Sequence, residues 1–216
     1  MIKHISLLIL LTFIGFNSFA QQKEGLLEFV IDVNAMDTSL QVRQQVGMLR
    51  NSSMKVYFMR DKSRIDFKMG EMYAITSIVD WKINRSLSLF STPKGKFATK
   101  MEASKFNESL PKPDTTLTVE LIDEHKTILG YKCKKAIMRS DSIEYIYWYT
   151  NDIKIDLNGQ SIINSNIPGL PMEFQTVKDG VMMNFKASNL TFSVPDKKTI
   201  FSTAIPAGYI VVTDVD

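Results

Sequence analysis

Ile65, Phe67 and Met69 alternate with Arg64, Asp66 and Lys68. A spacing of two puts these apolar side chains on one side of a strand and scatters them around a helix, so the segment belongs to a sheet with one dry and one wet face. The same period recurs. MKVYFMR precedes it from Met54, across a turn at Asp61-Lys62-Ser63, and MYAITSIVD and SLSLF follow. TLTVELID covers 116–123, before a polar turn at Asp123–Lys126. Three further apolar runs lie between Thr127 and Val177, punctuated by Gly130, Ser140-Asp141 and Pro168-Gly169. Short turns make sequential strands antiparallel neighbours.

The remaining segments are assigned around that pattern. Leu26–Val33 reads as a first strand. Ser39–Arg50 reads as an amphipathic helix, opened by a capping box of Thr38 with Gln41 and weakened by Gly47; the alternative is a continued strand with a long polar loop. Ala98–Asn107 fits a short helix or a ragged strand equally well. Leu110–Asp114 is a stiff loop because it holds two prolines. Asp156–Asn166 is a polar loop. Val181, Met183, Phe185 and Ala187 share one parity, whereas Leu190, Phe192 and Val194 share the other. That phase change predicts a bulge near Ser188-Asn189. Lys197–Ala204 is a candidate short helix and Tyr209–Thr213 a last strand. The expected fold class is mainly β: an open, curved antiparallel sheet or incomplete barrel of about ten strands, covered by one or two helices.

The first twenty residues read as an address. Lys3 and His4 precede the apolar run Ile5–Phe16, and Ser18-Phe19-Ala20 places small residues at −3 and −1 of a cut before Gln21. This is the layout of a secretory signal peptide, with an apolar core too short to span a bilayer. The expectation is a single domain over 21–216, located in the periplasm or outside the cell, with no membrane span after cleavage. The 216-residue chain carries 26 Lys and Arg against 23 Asp and Glu. These charges are interspersed, which excludes the basic stripe of a nucleic-acid binder. Export favours disulfides, but one cysteine cannot form one internally.

Candidate chemistry is sparse. Cys133 and His125, eight residues apart across a turn, are the one thiol–imidazole pair that a catalytic dyad would draw on. The plainer alternative is a buried packing cysteine. No spacing of ligands indicates a metal, no glycine-rich loop indicates a phosphate or cofactor, and no nucleophile elbow is present. No catalytic residue, metal or cofactor is therefore assigned. The apolar strand faces offer a different site. Ile65, Phe67, Met69, Tyr147, Met172, Phe174, Met183 and Phe185 are candidates for the lining of a ligand cavity, since methionine-rich surfaces adapt to varied apolar partners. Core packing is the alternative use of the same residues.

Gly-Tyr-Lys-Cys-Lys-Lys at 130–135, Tyr147-Trp148-Tyr149-Thr150 and Pro-Gly-Leu-Pro at 168–171 followed by Met-Glu-Phe form a set. It resembles secreted proteins of the GLPGLI family and, more closely, a related uncharacterised family of Gram-negative bacteria. Asn166-Ile167 stands in place of the first Gly-Leu of the GLPGLI motif and Pro171 in place of its last Ile. The resemblance implies a distant likeness to the LolA/LolB lipoprotein carriers: an open antiparallel barrel with an apolar lining. It implies no reaction. The function expected on this basis is a soluble periplasmic protein holding a lipid or other apolar molecule. The alternative is a structural or protein-interaction module of the cell envelope with a filled core and no ligand.

Overall fold

The computed structural model describes residues 21–110, 117–139, 143–155 and 166–212. The expected signal peptide, the turn at Ser140-Asp141, most of the 156–166 loop and all but Leu110 of the proline loop lie outside the described residues. The chain builds one twelve-stranded sheet, mainly antiparallel and not closed into a barrel. In chain order the strands are β1 (Glu24–Ala35), β2 (Ser52–Met59), β3 (Lys62–Met69), β4 (Tyr73–Asp80), β5 (Arg85–Thr92), β6 (Gly95–Met101), β7 (Thr118–Ile128), β8 (Tyr131–Arg139), β9 (Glu144–Thr150), β10 (Leu170–Lys178), β11 (Val181–Thr191) and β12 (Ile210–Val211). Three helices accompany them among the described residues: α1 (Leu40–Met48), α2 (Ala103–Ser109) and α3 (Lys197–Ile200).

The spatial order is β12-β6-β5-β4-β3-β2-β1-β11-β10-β9-β8-β7. Two meanders therefore meet where β1 pairs with β11. The N-terminal meander runs outward from β1 to β6, and the C-terminal one runs inward from β7 to β11. Two hairpins close on two-residue turns with both residues at positive φ: Leu129-Gly130 (φ 50° and 84°) and Asp179-Gly180 (φ 52° and 75°). These turns match the right-handed twist of the flanking strands, which explains a glycine at 130 and at 180.

Several expectations are met and several corrected. The phase change at Ser188 is a bulge: Glu28 faces Asn189 while Phe29 faces Ala187, leaving Ser188 unpaired. The 98–107 ambiguity resolves as both answers in succession, since β6 ends at Met101 and α2 begins at Ala103. Helix α1 forms, but its cap is Ser39, whose hydroxyl accepts from the Val42 N–H at 3.3 Å. Thr38 does not cap it, so the capping-box reading is displaced by one residue. The polar run Asp123–Lys126 is not a turn. It lies inside β7 as a bulge between Ile122 and His125, and the chain reverses instead at Leu129-Gly130. A charged, bulged β7 suits its place at the outer edge of the sheet, where such features block pairing with another chain.

Candidate functional site

The register assigns every strand residue to one of two faces. The face bearing Phe67, here the aromatic face, carries rows of apolar side chains that run across the strands. One row passes from Phe97 through Phe90, Ile75, Phe67, Met54 and Phe29 to Ala187. Another passes from Ile31 through Phe185, Phe174 and Tyr147 to Ala136. Over the C-terminal meander these rows are packed solid. Phe174 and Phe185 stack at 4.5 Å between centroids, Tyr147 stacks on Phe174 at 5.8 Å, and Phe29 meets both phenylalanines edge-on at 5.5 and 6.4 Å. Phe67 joins from the N-terminal meander, 6.0 Å from Phe185. Offset stacks and edge contacts of this kind add to the area they bury.

Of the eight predicted lining residues, Tyr147, Met172, Phe174 and Phe185 are buried in this cluster, and Ile65, Phe67 and Met183 pack half-buried against it. Met69 is half-buried and stands outside the cluster. The structure thus brings seven of the eight together. Two surface grooves, of about 720 and 430 Å³, are lined by none of the eight. The larger runs along β1 past Asp32, Asn34, Arg50 and Lys186, and the smaller lies between Arg85, Lys100 and Thr203.

The aromatic face changes character beyond Phe67. Ile75 and Phe97 are half-buried, Phe90 is 36% exposed and Tyr73 40%. Ile75, Phe90 and Phe97 stand outside the packed cluster. The candidate site is this open end of the apolar row on β4–β6. Phe90, Phe97 and Ile75 were not among the predicted lining residues. The signal was present in Ser-Leu-Ser-Leu-Phe, where Leu87 and Leu89 occupy one parity and Phe90 the other. A strand apolar on both parities is covered on two sides. One cover is visible: the segment after β11 crosses the opposite face, packing Val194 and Phe201 beside Tyr57, and Ile205 and Tyr209 against Ile78, Leu87, Leu89 and Ala98.

Over the C-terminal meander the opposite face is wet around Trp148, whereas Cys133 and Thr150 on the same face are fully buried. Trp148 lies between Lys126 and Lys135, whose ammonium groups stand 4.4 and 5.9 Å from its ring centroid. Lys126 pairs with Glu173 at 2.7 Å and Lys135 with Glu124 at 3.0 Å. The side-by-side aromatics of β9 thus divide between faces, with Tyr147 and Tyr149 buried and Trp148 half-exposed.

The thiol–imidazole pair is not assembled. Cys133 lies opposite Lys126, and His125 lies opposite Lys134, so the two side chains leave the ladder on opposite sides. Cys133 is fully buried, and burial pushes its thiol up to about 11, keeping it protonated and unreactive at neutral pH. Among the described residues no three His, Cys, Asp or Glu side chains come together as metal ligands. No helix among them is long and apolar enough to cross a membrane.

Residues 92–190, less than half of the chain, match the family described as "N-glycanase peptide, N-terminal domain". Two solved structures of PNGF-II, in different crystal forms, are similar at 16% identity with TM-scores of 0.44 and 0.45. They match 88% of this chain, which spans about a third of their length (31 and 32%). A LolA superfamily protein from Nitrosomonas europaea aligns over 83% of this chain and 90% of its own at 10% identity, with a TM-score of 0.23. No curated protein matches the chain.

Proposed function

We propose that this is an exported, non-enzymatic binding protein that holds a lipid or other apolar molecule against the open end of its aromatic face. The observation that carries the reading is the register row Phe67–Ile75–Phe90–Phe97, which continues from the packed cluster and surfaces at Phe90, 36% exposed. Apolar area left open in this way is stabilised by whatever covers it, at roughly 25 cal/mol per Å² before ordering costs. Placement in the periplasm or outside the cell rests on the layout of residues 1–20, and the resemblance to GLPGLI-type secreted families belongs to the same proposal. The N-glycanase activity in the matched family's name is not part of this proposal, because that match is to an N-terminal domain and covers residues 92–190 alone.

The alternative, an envelope interaction module without a ligand, is favoured by one observation: five stacked or edge-packed rings fill the aromatic face of the C-terminal meander. Titration with the apolar dye Nile red separates the two. Saturable binding by the parent protein, abolished in a folded Phe90→Asp variant, supports the ligand site. A parent protein that binds no dye leaves the interaction module as the better reading.

A further inference from the structure

The larger groove, of about 720 Å³, opens where β1 outruns its neighbour β2. On one side β1 stays paired with β11 as far as Ala35, opposite Val181. On the other side its pairing with β2 ends at Ile31, opposite Ser52. Asn51, at φ 62°, turns the chain out of line there, and Arg50 and Asn51 form the far wall of the groove. Asparagine adopts this left-handed conformation more readily than most residues.

Met36 donates its N–H to the Gly180 carbonyl at 2.8 Å, so Met36, Asn34 and Asp32 turn their backbone groups toward β11. Alternation along an antiparallel strand then turns Val33 and Ala35 the other way, into the gap beyond Ser52. Their N–H and C=O groups have no hydrogen-bond partner among the described residues. The two outer edges of the sheet are guarded, β7 by charge and a bulge and β6 by β12. Val33-Asn34-Ala35 carries neither charge nor bulge, and an unguarded strand edge is a template for another strand. The groove also holds an unbalanced charge. Asp32 and Lys186 neutralise each other at 2.9 Å, whereas Arg50 has no ion pair among the described residues.

We propose that this groove takes an extended peptide that carries a carboxylate. The peptide adds as a short strand along Val33–Ala35, in the line that β2 leaves empty, and its carboxylate pairs with Arg50. That carboxylate belongs to a chain terminus or to an Asp or Glu side chain, and the backbone pairing is the same for both. The site is independent of the aromatic face, since it needs none of Phe67, Ile75, Phe90 or Phe97.

The test is fluorescence anisotropy of a labelled five-residue peptide of alternating valine and threonine, titrated with the full chain. Three forms are compared: a free C-terminus, a C-terminal amide, and an amide whose last residue is glutamate. The parent protein is expected to bind the first or the third at least about tenfold more tightly than the plain amide, as the loss of a charge-assisted hydrogen bond implies. Preference for the first assigns a chain terminus, and preference for the third an acidic side chain. Arg50→Gln is expected to remove the preference while leaving amide binding and the unfolding midpoint unchanged, because Arg50 is exposed. A further arm needs no variant. N-methylation of successive peptide amides should alternate between loss and retention of binding, because only every second N–H faces β1. Failure of the parent to bind any form, equal binding of all three, a preference that survives in Arg50→Gln, or equal tolerance of N-methylation at every position would each overturn the proposal.

Discussion

The two meanders share one sheet but bury it differently. The C-terminal meander, β7–β11, buries its aromatic face under its own rings, and its other face carries lysine–glutamate pairs around Trp148 beside buried Cys133 and Thr150. The N-terminal meander, β2–β6, is apolar on both faces. Its opposite face is covered by the chain's own last segment through Phe201, Ile205 and Tyr209, while its aromatic face opens at Phe90. The difference teaches where function can sit. A face that already stacks Phe174 on Phe185 at 4.5 Å has stabilisation and little room. The N-terminal half of the same face is buried at Phe58, Val79 and Ser86 and surfaces only toward Phe90, so its open area is confined to that end of the row.

The sharpest way to break this comparison is to place a charge in each half. Phe185→Asp should unfold the protein, because an unpaired carboxylate would sit inside the ring cluster. Phe90→Asp should fold, since its side chain reaches water. Equal stability of the two variants in denaturant titration would show that the halves do not differ. Truncation gives the same contrast on a smaller scale: Phe174→Ala should cost about 3–5 kcal/mol and Phe90→Ala about 1 kcal/mol or less.

The cover of the N-terminal meander can be probed next. Phe201 is buried beside Tyr57, with Leu26 and Met59 packed against the same cluster, so Phe201→Ala should cost about 3 kcal/mol and raise hydrogen exchange first in β1 and β2. Protection lost first in β8 and β9 would mean that the last segment does not serve the N-terminal half.

Cys133 reports on the C-terminal core. The folded thiol ionises near 11, against 9.0 for an unperturbed one, because burial disfavours the thiolate. Between those values the unfolded chain has released a proton that the folded chain retains, so stability falls as pH rises from about 9 to 11. Below 9 this group makes no difference. Alkylation of the folded protein should be slow at neutral pH, and a Cys133→Ala variant should lose its share of the alkaline decline. The smallest effect is expected on the wet face: Lys135→Ala removes a long cation–π contact and an exposed ion pair, and should change stability by less than about 1 kcal/mol.

Period-two alternation made the strands and most of their faces legible, and the parity switch around Ser188 placed the bulge correctly. Lys, Glu and His within β7 were read as a turn because an edge strand disguised by charge and a bulge carries the same composition as a loop. The site was legible only in part. Phe67, Phe174 and Phe185 were recognisable as one apolar face, but whether such residues line a void or fill it depends on packing between strands far apart in sequence. Phe29 and Phe185 meet across more than one hundred and fifty residues. Two glycines of the family-like motifs acquired physical reasons only in three dimensions. Gly130 closes a hairpin at φ 84°, and a Cβ at Gly169 would stand 2.5 Å from the Thr150 carbonyl oxygen. Gly169→Ala should accordingly weaken the β9–β10 pairing.

Native mass spectrometry tests the central claim most directly, on the full 216-residue chain expressed with residues 1–20 present and purified without detergent. The account predicts that the parent protein carries an additional mass from a bound lipid-like molecule, and that a folded Phe90→Asp variant carries none. A parent protein with the bare mass of its chain, which also takes up no lipid offered to it, would contradict the claim that the open end of the aromatic face is a binding site.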